Sequence, residues 1–213
     1  MISDEWLLLA KILPEVSRET ISRLERFEHL LGEWNPRINL VAPGTMAQLR
    51  TRHVLDSAQL YPLLGAAKSI VDIGSGAGFP GLVLAILMQD QPGRSITLVE
   101  SNRKKCAFLH VVASELQLSA TIHPQRIDDY VARAPVPDLV TARALASLSE
   151  LLTMTEPWLS GQTRGIFQKG RDYRREIAEC TDKWCFDLVE SPSKIDGAGV
   201  ILEIRNLRRR ATR

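Results

Sequence analysis

An apolar run, Val71-Asp-Ile-Gly-Ser-Gly-Ala-Gly-Phe-Pro-Gly81, passes straight into three glycines at alternate positions, Gly74, Gly76 and Gly78. A strand ending in such a loop, with a helix opening just after it, lets a ligand approach bare backbone and adds the free N–H groups of the helix start. Two carboxylates frame the loop. Asp72, two residues before Gly74, would suit a cationic ligand better than a pyrophosphate. Glu100 follows the next apolar run, Ser95-Ile-Thr-Leu-Val99, and a carboxylate there can accept from both hydroxyls of a ribose. Its plainer reading is a helix-start acid paired with Arg103 or Lys104. Gly76, Gly78 and Gly81 also satisfy the G-x-G-x-x-G spacing of a nicotinamide-dinucleotide site, with Glu100 near the expected ribose acid. Asp72 weighs against that alternative, as does Pro80, which interrupts the N–H donors a pyrophosphate needs.

Further along, Arg126-Ile127-Asp128-Asp129 reads either as an adenine-contacting segment or as a polar turn. Cys106, Cys180 and Cys185 have no metal-ligand spacing and read as reduced thiols, and no metal site is expected. Cys106 has the setting of a small core residue rather than of a nucleophile. His29, His110 and His123 read as surface or packing residues, whereas His53, beside Arg52 and one turn from Asp56, has a claim to a pocket. A net charge of +2 proves no nucleic-acid partner, but the basic residues of the last quarter gather at 169–175 and 205–213. Such clusters bind phosphate by counterion release or serve as a solvated face with a frayed tail, and charge alone leaves both open.

These residues need elements to hold them. A chain of 213 residues with 45% hydrophobic and 24% charged residues suits one globular domain with a small appendage. No apolar run approaches a membrane span, and the acidic start reads against a secretion signal, so a cytoplasmic protein is expected. Residues 1–65 read as helical: Glu5 to Leu13, then Ser17 to Trp34 stopped by Asn35-Pro36, then Met46 to Leu64. Trp6, Phe27 and Trp34 read as core residues rather than base-stacking platforms. From residue 66 to 206 strands and helices alternate. Strands are expected at Ser69–Ile73, Ser95–Val99, Ala120–His123, Asp138–Thr141 and Gly165–Gln168, with helices at Gly81–Met88, Asn102–Leu116, Ser147–Trp158 and Asp172–Thr181. Trp184–Glu190 and Val200–Arg205 have no helix between them and should pair antiparallel. The pattern is that of an α/β fold with a mostly parallel, seven-stranded, Rossmann-like sheet, an antiparallel C-terminal hairpin and an N-terminal helical extension. That is the architecture of class I S-adenosylmethionine methyltransferases. Residues 207–213 read as an added basic tail.

The glycine string, with Arg52-His-Val-Leu-Asp-Ser57, Glu100-Ser-Asn-Arg-Lys-Lys105, Arg143-Ala-Leu-Ala-Ser147, Trp34-Asn35, Asn39-Leu40 and Lys169-Gly170, resembles the glucose-inhibited division protein B family of small-subunit ribosomal RNA guanine-N7 methyltransferases. The matches run in order across nearly the whole chain. The resemblance implies methyl transfer from S-adenosylmethionine to a guanine N7 of 16S ribosomal RNA, within the small subunit; with no heptad or large exposed apolar stripe in the sequence, a monomer is expected. It implies cofactor contacts at Gly74, Phe79, Ile127, Asp128 and Arg143, with Glu100 on the ribose, and a substrate pocket around Arg143, Arg52, His53 and Lys169. Arg171, Arg174 and Arg175 would add RNA contacts. Arg143 would steer a phosphate or donate to guanine O6, or else pair structurally with Asp138. The sequence lacks the Asp/Asn-Pro-Pro-aromatic stretch used on exocyclic amines, and a base whose N7 lone pair is already exposed needs none.

Overall fold

The computed structural model describes residues 4–210. The acidic-start and basic-tail readings fall partly on residues 1–3 and 211–213, outside the described residues. Helix α1 (Asp4–Ile12) is followed by α2 (Arg18–Ile38), which is capped by the Ser17 hydroxyl accepting from Thr20 N–H at 3.0 Å. The expected stop at Asn35-Pro36 is not where α2 ends. Pro36 sits in the last turn, where its missing N–H removes a single intrahelical bond. The stop comes at Asn39, whose left-handed backbone (φ 49°) sends its N–H to the Asn35 carbonyl, while Asn35 Oδ1 accepts from Val41 N–H at 2.9 Å.

Residues 43–64 also depart from the single helix expected over Met46–Leu64. A 3₁₀ turn (Pro43–Gln48), a π-helical turn (Arg50–Leu55), the short α3 (Asp56–Ala58) and a second 3₁₀ turn (Tyr61–Leu64) follow one another. The wide turn breaks helical phase, so Val54, Leu55 and Ala58 pack into the core while His53 and Asp56 reach the strand ends.

The remaining chain winds a seven-stranded sheet from β1 (Ser69–Ile73), β2 (Ser95–Val99), β3 (Ala120–His123), β4 (Leu139–Arg143), β5 (Arg164–Lys169), β6 (Trp184–Pro192) and β7 (Val200–Arg209), in the order β3-β2-β1-β4-β5-β7-β6. The first five strands are parallel, and β7 lies antiparallel between β5 and β6. Helices α4 (Gly81–Met88), α5 (Arg103–Glu115), α6 (Ile127–Val131), α7 (Leu148–Leu159) and α8 (Tyr173–Cys180) form the crossovers. Successive strand residues alternate between two apolar layers. Ile70 packs with α2, α4 and α5, where Phe27 lies 5.3 Å from Phe79 and Trp34 5.8 Å from Phe108. Val71 and Ile73 pack with Tyr130, Trp158 and Trp184 on the other side. Trp6, Phe27 and Trp34 therefore belong to the core, as expected.

The last strand corrects the reading of a tail from residue 207 for its described part, residues 207–210. β7 runs through Arg209, Leu207 is fully buried, Arg209 Nε meets Glu156 Oε1 at 2.6 Å, and Arg210 N–H donates to the Lys183 carbonyl at 2.9 Å. Strand β6 forms one rim of the sheet, and its register with β7 slips between Cys185 and Asp187. No helix among the described residues is long and apolar enough to cross a membrane.

Candidate functional site

Strand order reverses between β1 and β4, and a cavity of about 1010 Å³ opens beyond the C-terminal ends of these strands. The glycine loop forms one wall. Gly74 (φ 66°) turns the chain off β1, its N–H donating to the Val99 carbonyl at 2.8 Å. At this positive φ any residue with a Cβ is strained, and its Cβ would stand 2.5 Å from Leu145 Cδ1, which would have to move. Gly76 and Phe79 also line the cavity, as do Glu100 and the Ile127 and Asp128 of α6. The segment after β3 that allowed a polar turn is thus a short helix with its first residues on the cavity wall. Gly78 does not line the cavity; a Cβ there would stand 2.5 Å from Leu82 Cδ1, and the residue serves the loop rather than the wall.

Asp72 does not face the cavity. It is fully buried behind the loop, where Oδ1 accepts from the Thr141 hydroxyl at 2.8 Å and Oδ2 from Gly81 N–H at 3.2 Å. The β period explains the correction: Asp72 points to the layer opposite Val71 and Ile73, under the first turn of α4. Burial lifts its carboxyl from 3.8 to about 6, against the lowering effect of its hydrogen bonds. Its role is to hold the loop and the helix start together.

Glu100 takes the position expected of it. Its carboxylate accepts from Gly76 N–H at 2.9 Å and from Asn102 N–H at 2.7 Å, rather than pairing with Arg103 or Lys104. A carboxylate with about four lone-pair sites keeps acceptor capacity beyond those two bonds. Cys106 beneath it donates its thiol to the Glu100 carbonyl at 3.1 Å, and burial pushes that thiol up, which suits packing and not nucleophilic attack.

The opposite wall is built around Arg143 at the end of β4. Its Nε pairs with Asp56 Oδ2 at 3.2 Å, and Nη2 donates to the Arg52 carbonyl at 2.6 Å and to His53 Nδ1 at 3.0 Å. The expected alternative partner, Asp138, lies at the other end of the sheet, accepting from Lys68 N–H at 2.7 Å and Ser69 N–H at 2.9 Å. The His53 ring stacks on Phe79 at 5.1 Å, which links the two walls. Burial, then Arg143, then Arg52 lower His53 to about 4, so it is neutral near pH 7. An arginine only donates, so Nδ1 is the acceptor and the proton sits on Nε2. Burial pushes Asp56 up, opposed by Arg143, and pushes Arg143 down, opposed by Asp56.

Of the basic residues expected to meet RNA, Arg52, Lys169, Arg171, Arg174 and Arg175 do not line this cavity, whereas Lys105, Arg126 and Lys183 do. Arg52 is exposed and contributes its carbonyl. Lys169 is held by Glu176 Oε2 at 2.6 Å and the Ala146 carbonyl at 2.8 Å, and borders a second, smaller cavity that shares Arg143 and Ala144 with the first. Arg171, Arg174 and Arg175 stand exposed around the start of α8, with Arg174 over Tyr173 and Arg175 beside Asp172 and Glu179. Asp56, the residue that fixes Arg143, carried only a weak signal as the neighbour of His53. Gln168 carried one as well: a polar residue closing an apolar parallel strand.

A family model described as rRNA small subunit methyltransferase G matches residues 20–198. Proteins named ribosomal RNA small subunit methyltransferase G are similar over 95% of this chain and 95% of their own, at 52% identity in Brucella anthropi and 53% in Brucella canis. Among solved structures, the S-adenosylhomocysteine-bound methyltransferase PaMTH1 of Podospora anserina superposes with a TM-score of 0.64 at 11% identity, covering 96% of this chain and 97% of that one. A methyltransferase of Geobacter sulfurreducens gives 0.59 at 16% identity, covering 96% and 98%. At such identities the structures speak for the fold, a class I methyltransferase fold as expected.

Proposed function

Because the chain belongs to the rRNA small subunit methyltransferase G family, we propose that it transfers the methyl group of S-adenosylmethionine to N7 of a guanine in 16S ribosomal RNA. The observation that carries this reading is one cavity divided between a wall of glycine-loop backbone with Glu100 and Asp128 and a facing wall fixed by Arg143.

The residues present fit the cofactor. Glu100 keeps acceptor sites for ribose hydroxyls, Val99 and Ile127 offer apolar surface to an adenine, and Gly74 and Gly76 leave the backbone bare for the amino-acid end. Phe79, Asp128 and Arg143 complete the wall, while Asp72 and Gly78 act from behind it by fixing the loop. When bound, S-adenosylmethionine supplies an electrophilic methyl group on a sulfonium. Guanine N7 already exposes a lone pair, so no side chain has to remove a proton before attack. What the protein contributes is alignment and exclusion of water. Arg143 is held at three points, so it can meet the base without reorganising. A neutral His53 adds no positive charge beside the cationic cofactor.

The substrate in this reading is the small ribosomal subunit in the cytoplasm, met by a monomer. Residues 4–65 wall the RNA cleft, and Arg52, Arg171, Arg174 and Arg175 touch backbone phosphates. Lys169, tied to Glu176, acts by holding the start of α7 rather than as a free cation. The nicotinamide alternative loses support at the helix start: Gly81 N–H is taken by Asp72 and Leu82 N–H by the Gly78 carbonyl, donors a pyrophosphate would need.

The test is transfer of labelled methyl from S-adenosylmethionine to small subunits from cells lacking the enzyme, with the modified base mapped. Calorimetry of wild type beside Gly74→Asp and Glu100→Ala reads the cofactor site, and both variants should lose binding. No transfer to any ribosomal substrate would overturn the proposal. Full activity after charge reversal at Arg171, Arg174 and Arg175 would favour a small-molecule or protein substrate instead.

A further inference from the structure

Beside the main cavity lies a second one of about 210 Å³, bordered by Asp56, Gln59, Arg143, Gln168 and Lys169. Its volume is about seven times the ~30 Å³ share of one water, room for one planar base. Arg143 and Gln168 are register partners on the parallel strands β4 and β5. Such partners project from the same face of a sheet on strands roughly 5 Å apart. Asp56 orients both: its carboxylate takes Arg143 Nε, and its carbonyl accepts from Gln168 Nε2 at 2.9 Å. Only an N–H can serve that carbonyl, so the Gln168 amide has one orientation and Oε1 is turned away from Asp56. Gln168 is 8% exposed, and its Oε1 is buried with no protein donor. Arg143 Nη1 is likewise buried with no protein acceptor. Buried polar groups left unpaired are costly, so a group that pairs both is favoured there.

The geometry points to this second cavity as the seat of the acceptor base, with Arg143 Nη1 donating to guanine O6 and Gln168 Oε1 accepting from N1–H. The inference rests on the methyltransferase reading above and adds the residue that chooses the base. The polarity is the argument. Guanine presents an acceptor, O6, next to a donor, N1–H, whereas adenine presents the N6 amino donor next to the N1 acceptor. Adenine in the same place sets donor against donor and acceptor against acceptor. Holding the O6/N1 edge also leaves N7 free on the far side of O6. Because Arg143 and Ala144 border both cavities, N7 then lies toward the cofactor. Gln168 has not been placed in the cofactor wall, and its effect on the base is separable from cofactor binding.

The experiment titrates the full-length protein, saturated with S-adenosylhomocysteine, with GMP, IMP and AMP, for wild type, Gln168→Met and Gln168→Glu. Both variants lose the bond to the Asp56 carbonyl, but only Gln168→Met loses the acceptor. Wild type should bind GMP and IMP about tenfold or more tightly than AMP, the scale of one correct base-edge readout. Gln168→Met should lose that preference and Gln168→Glu should keep it, each with unchanged S-adenosylhomocysteine affinity. Equal binding of GMP and AMP by wild type, or equal loss of preference in both variants, overturns the inference. The same variants are assayed for methyl transfer to small subunits. If wild type and Gln168→Met transfer with the same kcat/KM, the role of Gln168 falls and the proposed function stands. If wild type transfers nothing, the proposed function falls and takes this inference with it.

Discussion

The two walls of the cleft are finished to different degrees. On the side of the glycine loop the carboxylates are satisfied within the protein: Asp72 by Thr141 and Gly81, Glu100 by Gly76 and Asn102. On the facing side His53 Nε2, Arg143 Nη1 and Gln168 Oε1 are all buried without a protein partner. The first wall is regular, a strand end, a tight loop and a helix start. The second hangs on the irregular segment 43–64 through one ion pair and a few carbonyls. The difference teaches that the shape of the loop wall is set by backbone, whereas the facing wall keeps side chains with unmet bonding capacity, which the proposed recognition of guanine would use.

The sharpest way to break the first wall is Gly74→Asp. A side chain at φ 66°, 2.5 Å from Leu145, should abolish S-adenosylmethionine binding in calorimetry. Retained binding would mean that the loop is looser than its hydrogen bonds imply. The corresponding break on the second wall is Arg143→Ala. It leaves Asp56 largely buried and uncompensated, so denaturant unfolding should show a loss of roughly 3–5 kcal/mol, together with loss of methyl transfer. An unchanged unfolding midpoint would remove Arg143 from the structural account.

A pH titration of stability separates the walls more finely. Asp72 keeps its proton longer in the folded chain, so from pH 3.8 to about 6 its ionisation makes stability fall as pH rises. His53 resists protonation when folded, so stability falls as pH drops from 6.5 to about 4. The two slopes oppose each other where the windows overlap. Asp72→Asn should therefore make stability rise more steeply with pH there, and His53→Gln should tilt it the other way. Two variants that both follow the wild-type curve would contradict the burial assigned to these groups. The smallest effect is expected at the surface. Reversing Arg171, Arg174 and Arg175 should change stability by within about ±0.5 kcal/mol each, yet weaken subunit binding and flatten its salt dependence.

Much of the first wall was readable in the sequence because its signals are local. Gly74, Glu100 and the strands that carry them follow from runs of four to six residues and the turns between them. Asp72 was legible as important but placed on the wrong side, since the face of a strand-end residue depends on which layer its neighbours fill. The second wall was harder. His53 and Arg143 were marked, but the partner of Arg143 lies 87 residues away along the chain, at Asp56, and no periodicity foretells that pairing. The π-helical turn that delivers Asp56 has no strong composition of its own, so helical spacing through Leu49, Leu55 and Leu60 read as one continuous helix. The end of α2 was misplaced for a related reason: a proline in the last turn removes too little to stop a helix. At the C-terminus the density of arginines hid the last four residues of β7, since only Leu207 among residues 205–210 is apolar.

The slip in register along β6 has a bearing on the company the molecule keeps. A sheet rim displays unpaired backbone groups and can act as a template on which another chain adds its own strand. Here one rim is the four-residue β3, too short to hold a guest firmly, and the other is β6, whose bulge sits beside Asp187 and whose length carries Glu190 before Pro192. A bulge bends the ladder, a carboxylate resists burial in a dry seam, and proline withholds a donor. Neither rim invites cross-β growth, which suits a protein whose sheet has to stop cleanly while its cleft stays open.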